Sequence, residues 1–415
     1  MTSPMGWNSW DCYGAAVNEK TVRKNAEYMA DKLKKYGWEY VVVDIQWYEP
    51  TAQSHEYHPF TELCMNEYGQ LMPAENRFPS AKGGKGFAAL AEYVHSLGLK
   101  FGIHIMRGIP RQAVHNDLPV SGTAVTARQI AKTDSICSWN TDMYGVDASK
   151  PGAYEYYLGL FRLYASWGVD FVKCDDICRE MPHCREELRL ISRAAKECGR
   201  EIVLSISPGP ALLEEAELYK ETAAMWRITD DFWDEWRLLY GMFERCEKWC
   251  THTGLGNYPD ADMLPIGALR QDYSEDDRTK FTEDEQYTML TLWSIFRSPL
   301  FIGGEMTKFD KFTLDLVTNE GILDMHKNAR HAHQVFRKSI DGNELILWIA
   351  ACAYGGSYIA LFNAGESTAQ YTLDFKSIEL EGELSYTELW SAVEGAGSSI
   401  SCKIPPHGAK AFYLR

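Results

Sequence analysis

The chain predicts a (β/α)8 barrel followed by an antiparallel β-sandwich, on three observations. Over the first three quarters, short apolar runs alternate with amphipathic helical stretches, the pattern of a parallel sheet with helical crossovers. From Asn328 onward, short runs separated by Gly, Asn and Ser turns replace it, as in an all-β sandwich. No Gly-rich phosphate loop follows the first apolar run, which disfavours an open doubly wound sheet. A length of 415 residues accommodates a barrel plus a small appendage. The division is placed between residues 1–327 and 328–415.

The elements follow in order. Strand candidates are Met5 to Trp10, Tyr40 to Trp47, Lys100 to Met106, Asp170 to Asp176, Glu201 to Ser207, Ala224 to Asp231, a weak run near His252 to Asn257, and Pro299 to Gly304. Helical periodicity marks Glu19 to Tyr36, Phe87 to Leu97, Ala153 to Trp167, Cys184 to Cys198, Phe232 to Trp249 and Asp284 to Phe296, with apolar residues three and four apart. The sandwich strands are Leu345 to Ala350, Ser357 to Phe362, Tyr371 to Phe375, Tyr386 to Leu389 and Ala409 to Tyr413. Few carboxylates cluster there, so chemistry is expected in the barrel.

Composition narrows the partners. A net charge of −16 argues against nucleic acid and anionic membrane surfaces, which call for clustered Lys and Arg. No stretch approaches the roughly 20 apolar residues of a membrane span. Hydrophobic residues make up 45% of the chain and aromatics 13%, enough for a large core, where most of the aromatics are expected, and for stacking floors against sugars or bases. Eleven cysteines without a framework pattern favour free thiols and a reducing compartment. The N-terminus has no signal-like run, so a cytoplasmic location is expected, a secreted form with a trimmed leader being the alternative. Association into oligomers stays open.

The informative residue is Asp175. The run Val169 to Asp176 ends in Lys173, Asp175 and Asp176, and a second run ends in Arg227, Asp230 and Asp231. Groups at the C-terminal ends of barrel strands converge on one face. That face collects Trp7, Asp44, Trp47, His104, Lys173, Asp175, Ser207, Arg227 and Asp231. Two carboxylates with cations and aromatic plates suit glycoside hydrolysis, which needs one carboxylate at the anomeric carbon and one acid at the leaving oxygen. A strand-end Asp that merely caps the next helix is the bland alternative for either one. Cys174, Cys178, His183 and Cys184 fit no standard zinc spacing, so neither metal nor cofactor is expected.

Met5-Gly6-Trp7-Asn8-Ser9-Trp10, Val43-Asp44 to Trp47, Phe101 to His104, Trp167 to Asp175, Trp226-Arg227 to Asp231 and Asp260-Ala261-Asp262-Met263-Leu264 stand in the order seen in glycoside hydrolase family 27. The chain resembles that α-galactosidase family over both barrel and β domain. The resemblance implies a retaining exo-glycosidase on galactose-configured sugars. Asp175 would be the nucleophile, and Asp231, with Asp230 as its rival, the acid/base. Lys173 and Arg227 would bind hydroxyls, Trp7 would wall the ring and Met263 would touch the pocket edge.

The chain departs from the family pattern at informative places. The second strand usually ends in two acids that hold the 4- and 6-hydroxyls, but here Asp44 is followed by Ile45. An isoleucine accepts no hydrogen bond, which suits β-L-arabinopyranose, galactose without its hydroxymethyl group. Compensation by Gln46 is the alternative. His104 replaces the usual tyrosine, and Ser207 replaces a Glu, as in α-N-acetylgalactosaminidases, although Pro210 stands where those have Ala. Asp176 precedes a position that is a disulfide cysteine in many relatives, so that bridge is not expected. A non-catalytic carbohydrate-binding barrel would have lost one acid, and a metal-dependent barrel hydrolase would need several His and Asp ligands.

Overall fold

In the computed structural model, which describes residues 2–415, eight parallel strands form one sheet. They are β1 (Met5–Asn8), β2 (Tyr40–Val43), β3 (Lys100–Met106), β4 (Phe171–Asp175), β5 (Val203–Ile206), β6 (Met225–Arg227), β7 (Tyr258–Asp260) and β8 (Leu300–Ile302). β8 pairs back onto β1, and a parallel bridge from Leu264 to Ile302 closes the ring. Gly6 is required where β1 meets β2: a Cβ there would lie 2.5 Å from the Tyr40 carbonyl oxygen.

Period-two alternation divides each strand between two environments. Tyr40, Val42, Phe171, Met225, Tyr258 and Phe301 fill the barrel interior, with Met263 above them. The alternate residues, among them Trp7, Val41, Val43, Phe101, Ile103, Val172 and Trp226, pack against the helices. Farther along the inward rows come Asn8, Asp44, His104, Lys173, Asp175, Arg227 and Asp262. The polar face of the barrel is therefore the continuation of its inner row.

The helices follow from their apolar spacing. Helix α1 (Ala153–Trp167) buries Ala153, Tyr156, Tyr157, Leu160, Phe161, Tyr164 and Trp167 and stops at Gly168, whose φ of 84° suits only glycine well. α2 (Arg185–Glu197) and α3 (Trp236–Trp249) lie within their predicted spans. The predicted helix from Phe232 begins only at Trp236, because Phe232 donates its N–H to Asp262 and stays in the loop above the barrel. The stretch predicted as one helix to Tyr36 is α-helical only from Glu19 to Tyr28, then widens through a π turn and tightens through a 3-10 turn to Gly37. The weak seventh strand sits downstream of its expected place, at Tyr258–Asp260, where the Tyr258 ring enters the barrel interior.

Beyond Asn328 the sheet order is Ala329–Ile340, Asn343–Cys352, Ser357–Asn363, Ala409–Leu414, Leu384–Glu388 and Glu394–Gly397, with Ala369–Asp374 and Ser399–Ile404 forming a second sheet. Leu345, Leu347, Ile359, Leu361 and Phe412 face that second sheet. Ile346, Trp348, Ala360 and Phe362 turn toward the barrel instead, where α4 (Glu283–Phe296) is buried on nearly all sides. The long strand Ala329–Ile340 escaped the sequence reading because it lies at the sheet edge and carries His, Arg and Lys, as edge strands do.

Candidate active site

The inward rows and the loops above them enclose a cavity of about 280 Å³. Asp44, Ile45, Lys173, Asp175, Arg227, Asp231 and Met263 line it, each a residue singled out from sequence. Asp44 is the hub of one side. Its Oδ2 accepts from Asn8 at 2.7 Å and from the Lys173 ammonium at 2.9 Å, and its Oδ1 accepts from the Ile45 N–H at 2.8 Å. Burial opposes its ionisation, but Lys173 and His104 outweigh burial and hold its carboxyl below the ordinary range. Burial likewise works against the Lys173 charge, and Asp44 and Asp175 more than restore it.

Asp175 ends β4 and accepts from the His104 ring nitrogen Nε2 at 3.1 Å. Burial would raise its pKa, yet the His104 hydrogen bond and the charges of Lys173 and Arg227 drive it well below the usual carboxylate value. The carboxylate is held ionised, as a nucleophile requires. Its neighbour Asp176 turns away into a buried ion pair with Arg107 at 2.7 Å, and Arg107 also grips Glu187 at 3.0 Å. Asp175 alone of the two reaches the cavity.

Across the cavity, Arg227 joins two carboxylates, Asp231 at 3.0 Å and Asp262 at 2.8 Å. Asp231 is 59% exposed and Asp262 only 7%, so the first opens to solvent at the cavity and the second braces the arginine. Burial and the adjacent Asp231 and Asp260 raise the Asp262 pKa against the pull of Arg227. Asp230 is held instead by Arg179 at 2.9 Å, at the rim. Of the two acids ending the Arg227 run, Asp231 shares the buried arginine and Asp230 does not.

Four predicted contacts take other places. Trp7 is fully buried and donates its indole N–H to the Gly304 carbonyl; strand alternation turns it to the helix layer. The aromatic wall comes from Trp10, stacked on Tyr57 with centroids 5.9 Å apart, and from Trp139 beside Tyr57 at 5.6 Å. Trp47 is also fully buried, donating to the His104 carbonyl and packing on Phe87 and Trp167. His104 sits behind Asp175 rather than on the wall. Ser207 faces a small inner cavity beneath Lys173, Arg227 and Met263. Gln46 does not compensate for Ile45: its amide donates to Asp142 at 2.8 Å, away from the cavity.

Trp10, Asp11, Tyr57, Trp139, Arg179, Phe232, Trp233 and Asp262 also line the cavity, and sequence reasoning missed them. The inward period from Asp260 could have flagged Asp262. Trp139 had no signal, and Tyr57 only the Tyr- and Pro-containing loop around His55 and His58, which reads as a pocket rim; long loops after β2 and β3 bring the two rings in. All eleven cysteines are free, Cys174 and Cys178 being buried among them.

Comparison with known proteins agrees with this arrangement. A family profile described as α-galactosidase A matches residues 2–150 and 140–328, and one for the α-galactosidase C-terminal β-sandwich domain matches residues 342–414. An α-galactosidase of Coffea arabica is 27% identical over 425 residues, covering all of this chain and 94% of that protein. The crystal structure of a family 27 β-L-arabinopyranosidase from Geobacillus stearothermophilus is 54% identical, with a TM-score of 0.96 over all of this chain and 96% of that one. A Bacillus halodurans protein with a provisional α-N-acetylgalactosaminidase assignment is 49% identical, with a TM-score of 0.88 over all of this chain and 97% of its own. Two profiles spanning nearly the whole chain and relatives near half identity leave one conclusion: the chain belongs to the α-galactosidase family, glycoside hydrolase family 27, and is a galactosidase-type glycoside hydrolase.

Proposed function

We propose that the chain is a retaining exo-glycosidase that releases terminal β-L-arabinopyranosyl units, with α-D-galactosides as poorer substrates. The observation that carries this is Ile45 on the cavity wall next to Asp44, with Gln46 turned away to Asp142. A galactoside hydroxymethyl placed there would lose its acceptor, at a cost of about 1–3 kcal/mol. An arabinopyranoside has no such group. The 54% identical relative named a β-L-arabinopyranosidase supports the same reading.

The chemistry follows from the two acids. Asp175 attacks the anomeric carbon as the bond to the aglycone oxygen breaks, and Asp231 gives that oxygen a proton. A glycosyl-aspartate ester results. Asp231 then takes a proton from water, whose oxygen attacks the same carbon and frees Asp175, so that two inversions give net retention. Lys173 and Asp44, already paired, offer a donor and an acceptor to sugar hydroxyls. Arg227 steadies Asp231, and the exposed side of the cavity leaves room for the aglycone.

Initial rates on nitrophenyl β-L-arabinopyranoside, α-D-galactoside and α-N-acetylgalactosaminide, measured side by side, test the proposal. The arabinopyranoside is expected to lead the galactoside in kcat/KM by about fivefold to a hundredfold, the range implied by one unpaired hydroxyl. An equal or faster galactoside would overturn the sugar assignment. A leading α-N-acetylgalactosaminide would also do so and return Ser207 to the specificity argument.

A further inference from the structure

Asp11 lines the same cavity as Asp44, Lys173, Asp231 and Asp262 and is 4% exposed. The other acids of the cavity are each tied to a basic group: Asp44 to Lys173, Asp175 to His104, Asp231 and Asp262 to Arg227, and Asp230 to Arg179. Asp11 has no such partner among the described residues, and its Oδ2 is buried with no hydrogen bond. The hydrogen bonds at this residue go to its backbone carbonyl, from the Arg270 N–H at 2.8 Å and the Tyr273 hydroxyl at 3.4 Å. Oδ2 packs against Gly303, where an added Cβ would lie 2.0 Å from it, which leaves Oδ1, also without a hydrogen bond among the described residues, as the oxygen for a ligand in the cavity.

An unpaired buried carboxyl is costly, and native structures keep few. One that sits on the wall of a substrate cavity has a natural partner in the substrate. We propose that Asp11 is a sugar-binding residue of this cavity, its carboxyl exchanging hydrogen bonds with a hydroxyl of the bound pyranose; this rests on the reading of the cavity as a sugar pocket. Burial, with Asp262, Asp231 and Asp44 adding to it against Lys173, pushes the Asp11 carboxyl well above its usual range. That favours the protonated acid, a form able both to donate and to accept. That pairing would add to the acceptor at Asp44 and the donor at Lys173 in the same cavity.

Calorimetric titration of L-arabinose and of D-galactose into wild type, Asp11→Asn, Asp11→Ala and Asp11→Leu, with melting temperatures recorded for each, tests this. Asn keeps a donor and an acceptor and is expected to hold Kd for the better sugar within about threefold of wild type. Ala and Leu are expected to weaken it at least tenfold while melting at or above the wild-type temperature, since they remove an unpaired buried acid. Leu fills the space that Ala empties, so a folding defect in Ala does not hide the answer. Ala or Leu binding as tightly as wild type, or Asn losing as much as they do, overturns the Asp11 assignment alone. A wild-type protein that binds neither sugar overturns the pocket reading together with it.

Discussion

Nε2 of His104 lies 3.1 Å from Oδ2 of Asp175, so an imidazole from the third strand orients the carboxylate that ends the fourth. Asp175 is ionised, so Nε2 is the nitrogen that donates. The other ring nitrogen, Nδ1, is buried without a partner. The pair accounts for much of the depressed Asp175 pKa, together with Lys173 and Arg227.

Asp175→Ala is expected to abolish turnover, and azide to restore part of it by standing in for the missing nucleophile. Near-normal rates in this variant would end the assignment. The depressed pKa adds a second readout. A carboxylate whose folded pKa lies below its unfolded one stabilises the fold above the ordinary Asp value, about 3.9, and that contribution fades as pH falls through the folded pKa. The melting-temperature gap between wild type and Asp175→Asn should therefore narrow below about pH 4. A gap that stays constant down to strongly acid pH would show that His104 and Lys173 do not favour the ionised form.

Asp231 shares Arg227, while Asp230 is held by Arg179 at the rim. Asp231→Asn should slow glycosides with poor leaving groups about a hundredfold or more, within the usual reach of acid catalysis. Activated aryl glycosides need less protonation and should lose far less. If Asp230→Asn shows that split and Asp231→Asn does not, the acid sits one residue earlier than assigned.

Ile45→Asp would place a second carboxylate beside Asp44, where a galactoside hydroxymethyl lacks an acceptor. A hydrogen bond to a charged group contributes about 1.5–3 kcal/mol, roughly tenfold to a hundredfold in relative kcat/KM. The α-galactoside should gain by that factor over the β-L-arabinopyranoside. An unchanged ratio would mean that Ile45 does not face the 6-position.

The sequence by itself determined the alternation of strands and helices and the ends of most of them. Apolar period is a local property: the helix Ala153–Trp167 and the strand Lys100–Met106 came out with the bounds that the fold shows. Abrupt endings such as Lys173 to Asp175 are local too, because charges do not continue a buried strand. What only the tertiary structure decided was which neighbouring side chain faces the cavity. Trp7 and Trp10 stand three residues apart in one motif, yet the strand turns Trp7 to the helices, and the short helical turn after it turns Trp10 to the cavity. Tyr57 and Trp139 lie far from each other in sequence and meet only because loops after two adjacent strands, β2 and β3, fold over the same barrel mouth. In the sequence Asp11 is simply the acid that follows the run Met5 to Trp10. Its lack of a partner exists only once Gly303, from the far end of the barrel domain, closes against it.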